Sequence, residues 1–467
     1  MCTLRPAALR RMAAAGTALA LLLAAPVLGA ERSPPTGSPG KAGDDALGTR
    51  KYADYDKPQA CAGCHVDITR QHEQAMMSQA YTHSWDEIEY FQLALPHAEK
   101  VAKVKGVKAG CNGCHSPLAF LAGDIPPKPV AAGTRANEGV SCEVCHTIVD
   151  RGGDPPVNYN WISEPGKTKQ GTRKGVESPY HKTRENPFLR TAEFCGTCHN
   201  EKSPWDVWVK STQLEWKEGP HGRAGIVCQD CHMPPARGRS ARMGKERADI
   251  RQHLFHGAHD AGKLSGVAEV RVHPEVREVE PGDPIRITAV VVNAKAGHKI
   301  PSGSAEERLL WLHVEAKDAS GKVWPLRVDR KGFPGEEYTI ADANARAYQD
   351  IGDIRGIAGF GGLARDGLVP AGDRIFRLPY FDEQGRMTIA QWNTARLGTD
   401  YRIAPLQAVT ETFTWSPPEL PEGPVTVTAT VWYSRLVSSV AEFLKVPREE
   451  YEPVLVSTHT TTFTVLP

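Results

Sequence analysis

Long apolar runs are scarce in this chain of 467 residues. The run from Ala13 to Leu28 is too short to span a bilayer comfortably, and no second stretch of spanning length follows. Arg5, Arg10 and Arg11 precede that run and Gly29 and Ala30 close it, which is the pattern of a secretory signal over residues 1–30. An uncleaved N-terminal anchor is the other reading of the same residues. A surplus of either charge is also lacking, with 56 basic against 55 acidic side chains, and this argues against nucleic acid as a partner. Cysteine is absent from everything after Cys231, and apart from Cys2 in the signal none stands outside one repeated pattern.

That pattern is Cys-x-x-Cys-His. It occurs as Cys61-Cys64-His65, Cys111-Cys114-His115, Cys142-Cys145-His146, Cys195-Cys198-His199 and Cys228-Cys231-His232. Ten cysteines in an exported chain would ordinarily suggest five disulfides. At this composition chance gives on the order of 0.01 such pentapeptides, against five present. A zinc site made of Cys-x-x-Cys pairs does not need a histidine after every second cysteine. A thioredoxin-like motif occurs once, near a βαβ unit. Two thiols three residues apart lie on one helical turn and can each form a thioether with a porphyrin vinyl group, and the following histidine then sits under the iron. Five covalently bound haem c groups are therefore expected. Thioether formation outside the cytoplasm and the export signal call for each other.

The organisation follows. Residues 31–51, rich in Pro, Gly, Ser and Lys, read as a flexible linker. Residues 52–260 read as a pentahaem domain of coil and short helices, the helices lying around the attachment motifs and over Val66–Tyr81. Intervals between first cysteines alternate as 50, 31, 53 and 33 residues, and Gly139-Val140-Ser141-Cys142 is matched by Gly225-Ile226-Val227-Cys228. A duplicated haem pair explains both. Residues 261–467 alternate at period two, as in Ile285–Val291, Leu310–Ala316 and Val425–Tyr433, and read as an antiparallel β-sandwich-like domain. Asp350–Asp373 is too long for a hairpin and is expected to fold over the surface or the haem region. The fold class is thus α+β and multidomain.

Each iron needs a sixth ligand. Twelve histidines lie outside the motifs, and ten of them precede residue 300. Such an excess favours two histidines per iron, a low-spin state that suits electron transfer. His181 and His221 lie in short polar loops ahead of the fourth and fifth motifs. His253, His256 and His259 are spaced three apart, with His256 and His253 preferred. His83, His97 and His298 complete the candidate set, His298 within a rigid Gly-Pro turn. His273, His313 and His459 alternate with apolar neighbours and read as surface residues.

Several stretches resemble the multihaem cytochromes related to cytochrome c554. They are Glu138 to His146, Phe194 to Asn200, Val227 to Pro234 and Gly297 to Gly303. Relatives often carry a Ser-x-His after the first haem, whose histidine reaches an iron. This chain has Ala75-Met76-Met77 there, with His72 one turn earlier. Met77 as an axial ligand would raise that haem's potential. His72 or a remote histidine as ligand, an open position, and methionines that only pack on porphyrin are the other readings.

Closely spaced haems pass electrons without any moving part, so a five-haem domain reads as a short wire, an electron-transfer cytochrome of a bacterial respiratory chain. It would be periplasmic rather than extracellular. The expected partners are a quinol-oxidising module or another cytochrome on one side and a terminal reductase on the other, with membrane association through a partner. The alternative is a multihaem oxidoreductase acting on a small nitrogen or sulfur compound at one open haem. Pentahaem nitrite reductases usually have lysine in place of one motif histidine, and all five motifs here end in histidine. A structural subunit of an extracellular conduit would need a partner that the sequence does not show. Without residues 1–30 the chain has 53 basic and 55 acidic side chains, and ten propionates would bring it to about −12. That charge would steer basic partners.

Overall fold

A computed structural model of the chain describes residues 41–330, 346–417 and 419–467. The signal expected over residues 1–30 and the linker before residue 41 lie outside the described residues. Residues 41–51, expected as tether, are instead packed down. Ala46 is buried, Gly48 N–H donates to the Phe120 carbonyl and Arg50 N–H to that of Leu121. Composition alone hid this, because the segment borrows its apolar neighbours from a helix seventy residues away.

The N-terminal region is built mostly from short elements, and apart from the stretch Ser84 to Lys100 no helix among the described residues exceeds nine residues. Helices carry four of the motifs, at Val107–His115, Cys142–Thr147, Ala192–His199 and Cys228–His232; the first motif bridges Pro58–Ala62 and Val66–Glu73. The helix expected over Val66–Tyr81 ends at Glu73 and gives way to turns. A second helical stretch runs from Ser84 to Lys100 with a π-helical segment at Glu89–Ala94. It buries Trp85, Tyr90, Leu93 and Ala94.

The C-terminal region is a two-sheet sandwich. Its strands are β1 Ala268–Pro274, β2 Glu278–Val279, β3 Ile285–Asn293, β4 Leu309–Lys317, β5 Val323–Leu326, β6 Arg374–Phe376, β7 Ala408–Trp415, β8 Gly423–Ser434 and β9 Val454–Val465. One sheet has the order β7-β3-β1; the other runs β2-β9-β8-β4-β5, with β6 also on β4. Pairing is antiparallel except between β2 and β9. Ile287 faces Phe413 across β3 and β7, and Leu312 faces Val431 across β4 and β8. The alternation seen in the sequence points Ile285, Ile287, Ala289 and Val291 into a core shared with Leu310, Leu312, Val425 and Val427.

β4 is covered on both faces. Its outward Leu309 and Trp311 join a second apolar cluster with Trp85, Leu93, Ile351, Ile354, Trp392 and Val440. That cluster fuses the two regions, and the stretch after Asp350 supplies part of it. The helix Asp350–Arg355 packs against Leu95–Lys100. The polar seam beside it is equally specific. Glu215 accepts hydrogen bonds from Arg402 Nη1 at 2.7 Å, Ser302 Oγ at 2.8 Å, Ser211 Oγ at 3.0 Å and the Lys299 N–H at 3.2 Å. One carboxylate of the first region thus pins the Gly297–Gly303 loop of the second.

Candidate cofactor cavity

Between and beneath these elements lies one continuous cavity of 2660 Å³, lined by cysteines and the histidine of all five motifs. A drug-sized ligand occupies roughly 300–1,000 Å³, so the space holds several groups of that size. None of the ten motif cysteines is in a disulfide. They meet across motifs, not within disulfides: Cys61 with Cys142, Cys114 with Cys198, and Cys195 with Cys228 are hydrogen-bond neighbours. Cys145 is close to Cys198 and Cys195. In space the motifs therefore run first, third, fourth, and from the fourth branch to the second and the fifth. Glycine is needed where they crowd. A Cβ at Gly113, inside the second motif, would stand 2.3 Å from the Tyr159 ring.

Four motif histidines are oriented by a remote carbonyl. Nδ1 donates to Ser240 O from His65 at 2.6 Å, to Ala80 O from His115 at 2.9 Å, to Gln170 O from His146 at 2.7 Å and to His256 O from His232 at 2.7 Å. A carbonyl can only accept, so Nδ1 carries the hydrogen and Nε2 keeps its lone pair, as metal-ligating histidines require. Burial pushes His199, His232 and His253 down to about 4, so each is a neutral imidazole near pH 7.

Three histidines outside the motifs share this arrangement through local carbonyls. His181 donates from Nδ1 to Lys182 O, His253 to Arg251 O and His298 to Lys299 O. All three line the cavity. His181 faces His65 with ring centres 6.3 Å apart and planes at 30°; His253 faces His146 at 6.3 Å and 22°. Two metal–nitrogen bonds of about 2.0 Å, plus roughly 1.1 Å from each nitrogen to its ring centre, separate two axial imidazoles by about 6.2 Å. Both spacings match that value, so each pair would fit one iron. His298 is an electrostatic neighbour of His232 and His199, and it rests on Gly297, where a Cβ would press on the His221 ring at 3.2 Å.

The other candidates are placed differently. His83 uses both nitrogens, Nδ1 toward Asp86 at 3.2 Å and Nε2 toward Glu450 at 2.8 Å, so it ties the helical region to the sandwich and has no lone pair to offer. His97 lies away from the cavity, where its Nδ1 accepts the Trp392 indole N–H at 3.1 Å. His221 is buried behind His298 and does not line the cavity. His256 lines it, though its best-defined contact is the carbonyl held by His232. His72 spends Nε2 on the Val140 carbonyl at 2.9 Å. Met77 lines the cavity and packs beside the cluster of Leu118 and Phe120. Nothing in the sequence marks Glu215 or the orienting carbonyls, which acquire their roles only through tertiary contact.

Cysteine pairs on single turns and carbonyl-held histidines around one cavity, beside a C-terminal β-rich region, are a residue set that fits covalently bound haem c. Residues 60–147, which contain the first three motifs, match the family described as cytochrome c554 and c-prime. The fold is similar to that of a penta-heme cytochrome c552 from Thermochromatium tepidum, at 22% identity and a TM-score of 0.60, over 88% of this chain and 99% of that one. Weaker likenesses are to the sporulation control protein Spo0M of Bacillus subtilis (12% identity, TM-score 0.17, 43% of this chain and 50% of that one) and to a CARDB domain from Pyrococcus furiosus (9% identity, TM-score 0.17, 43% and 87%). Those two are too distant to support an argument. No curated protein matches the sequence. Among the described residues no helix is long and apolar enough to cross a membrane.

Proposed function

We propose that this chain is an exported, periplasmic electron-transfer cytochrome of a bacterial respiratory chain, carrying five haems, one on each motif. The observation that carries this reading is the pair of iron-sized gaps at 6.3 Å between His65 and His181 and between His146 and His253. Two imidazoles saturate an iron, keep it low-spin and leave no place for substrate. His298, an electrostatic neighbour of His232 and lining the same cavity, would help hold the fifth haem. The second and fourth irons, on His115 and His199, draw their sixth ligands from the remaining cavity wall, Met77 and His256 among them. The thiol contacts make the fourth haem a junction, so an electron reaching it has three neighbours. The sandwich holds the Gly297–Gly303 loop in place and braces the haem region. A quinol-oxidising module or another cytochrome would feed the chain, and a terminal reductase would drain it.

A second reading has its own support. Among the described residues no histidine ring is paired with that of His115 or His199 as His181 is with His65, and a largely covered lysine, Lys210, lies close to both, paired with Glu201 at 2.8 Å. An open iron there would make the chain an oxidoreductase for a small nitrogen or sulfur compound. Reductive titration followed by substrate addition separates the two. The electron-transfer reading expects five electrons taken up per chain and no catalytic reoxidation by nitrite, hydroxylamine or sulfite. Multiple turnovers with any of the three would overturn it.

A further inference from the structure

Three segments remote in sequence converge on His83, His259 and Glu450. His83 precedes the helix Ser84–Ile88, His259 lies in the turn before the helix Ala261–Leu264, and Glu450 ends the short helix Arg448–Glu450 between β8 and β9. Glu450 Oε2 is 2.8 Å from His83 Nε2 and 3.6 Å from His259 Nε2. One ligand atom from each residue lies within 4.8 Å of the other two, and among the described residues no other three His, Cys, Asp or Glu side chains are grouped so tightly. Four bonds of about 2.0–2.1 Å at tetrahedral angles set neighbouring donor atoms about 3.3 Å apart, and the two measured separations fall on either side of that value.

The two rings are not placed as axial partners of an iron. His83 and His259 meet edge to face, with centres 5.0 Å apart and planes at 82°, whereas the pairs that would span an iron stand at 6.3 Å with planes at 30° and 22°. Imidazoles that converge on one carboxylate oxygen at such an angle mark corners of a tetrahedron, not opposite poles. Asp86 adds the outer partner that metal-bound histidines ordinarily have, its Oδ2 3.2 Å from His83 Nδ1. The hydrogen on Nδ1 then leaves Nε2 facing Glu450. Two lone pairs 2.8 Å apart repel, so a proton or a metal ion stands between them. With a proton there the ring has nothing to offer an iron; a divalent ion takes that proton's place. The neighbouring cations are engaged elsewhere: Arg435 on the Glu449 and Glu450 carbonyls, and Arg308 on the Arg435 carbonyl and Glu307.

We propose that His83, His259 and Glu450 bind one zinc ion, with water as its fourth ligand, which pins the helical region, the turn at His259 and the sandwich to one another. Calcium and magnesium take oxygen ligands and cuprous copper takes sulfur, so neither suits two imidazoles and a carboxylate. Tetrahedral spacing separates zinc from the tetragonal preference of cupric copper and nickel. The site stands apart from the irons and holds whether they relay electrons or act on a substrate.

Thioether-bound haem survives chelation, so the test strips the full haem-loaded protein with EDTA and titrates it with Zn2+ by calorimetry. One zinc per chain is expected, together with a rise of about 5 °C in the unfolding transition. The zinc K-edge of the loaded protein, read apart from iron, should show nitrogen and oxygen at about 2.0 Å and no sulfur. His259→Ala and Glu450→Gln should each bind zinc at least about tenfold more weakly, with every haem spectrum unchanged. Glutamine matches glutamate in size, so the second variant removes the charged ligand with little disturbance of the packing. No zinc uptake, a sulfur shell at the edge, or variants that bind as tightly as the parent would overturn the site. A high-spin haem in His259→Ala would overturn it too, because that ring would then belong to an iron.

Discussion

Replacing His253 by alanine is expected to convert one haem from low-spin to high-spin and to give it a carbon monoxide site, while the remaining haems keep their spectra. His253 stands 6.3 Å from His146, ring centre to ring centre, and its Nδ1 is held by the Arg251 carbonyl at 3.0 Å, so its Nε2 is left with a lone pair. Alanine would remove the imidazole and leave no side chain there that could hold an iron. The His146 side is untouched because its own Nδ1 is fixed by Gln170. Methionine at 253 is the informative second variant. It should restore a low-spin centre at a higher potential, since histidine–methionine ligation raises the potential relative to two histidines. His181→Ala predicts the same outcome at the first haem. A His253→Ala protein with an unaltered spin state would show that another side chain holds that iron.

The second large effect is expected far from any iron. Glu215→Ala should lower the unfolding transition by roughly 5–10 °C, the result of about 3–5 kcal/mol lost when a buried ion pair is broken from one side. Both partners are inaccessible, with side-chain exposures of 4% for Arg402 and 5% for Glu215. Asp400 still reaches Arg402 through Nε and Nη2, each at 2.9 Å, but the Lys299 N–H loses its acceptor outright and the Ser302 hydroxyl keeps only Thr212. The Gly297–Gly303 loop is then released, and His298 with it. The expected signature is therefore double: reduced stability and a high-spin fraction at one haem. Glu215→Gln, which keeps acceptors for Ser302 and Lys299, should retain the spectrum and lose only part of the stability. Differential scanning calorimetry and resonance Raman spectra of the two variants check both halves. A Glu215→Ala protein that is destabilised but spectrally intact would separate the loop anchor from the iron.

Much of this architecture is legible in the chain because it is written locally. Cys-x-x-Cys-His is a one-turn device and needs no tertiary partner to be recognised. The sandwich declares itself through period-two alternation, since Ile285–Val291 and Val425–Tyr433 each have one wet and one dry face. What escapes the sequence is whatever depends on distant neighbours. Ser84–Lys100 has no strong amphipathic signature, because it is buried against β4 on one side and helices on another. Residues 41–51 look like a tether until Phe120 and Leu121 are placed beside them. Among the histidines, spacing cannot separate His253 from His83. The difference is the hydrogen-bond partner: a backbone carbonyl on one nitrogen leaves the other free, whereas carboxylates on both nitrogens use the ring up.

The central claim is that every iron here is saturated and serves as a relay. Electron paramagnetic resonance of the oxidised protein, with carbon monoxide added after reduction, tests it most directly. Low-spin signals alone, and no carbon monoxide adduct, are the predicted result. A high-spin signal together with a carbon monoxide adduct would contradict it, would place an open iron on His115 or His199, and would turn attention to Lys210 and the substrate it could face.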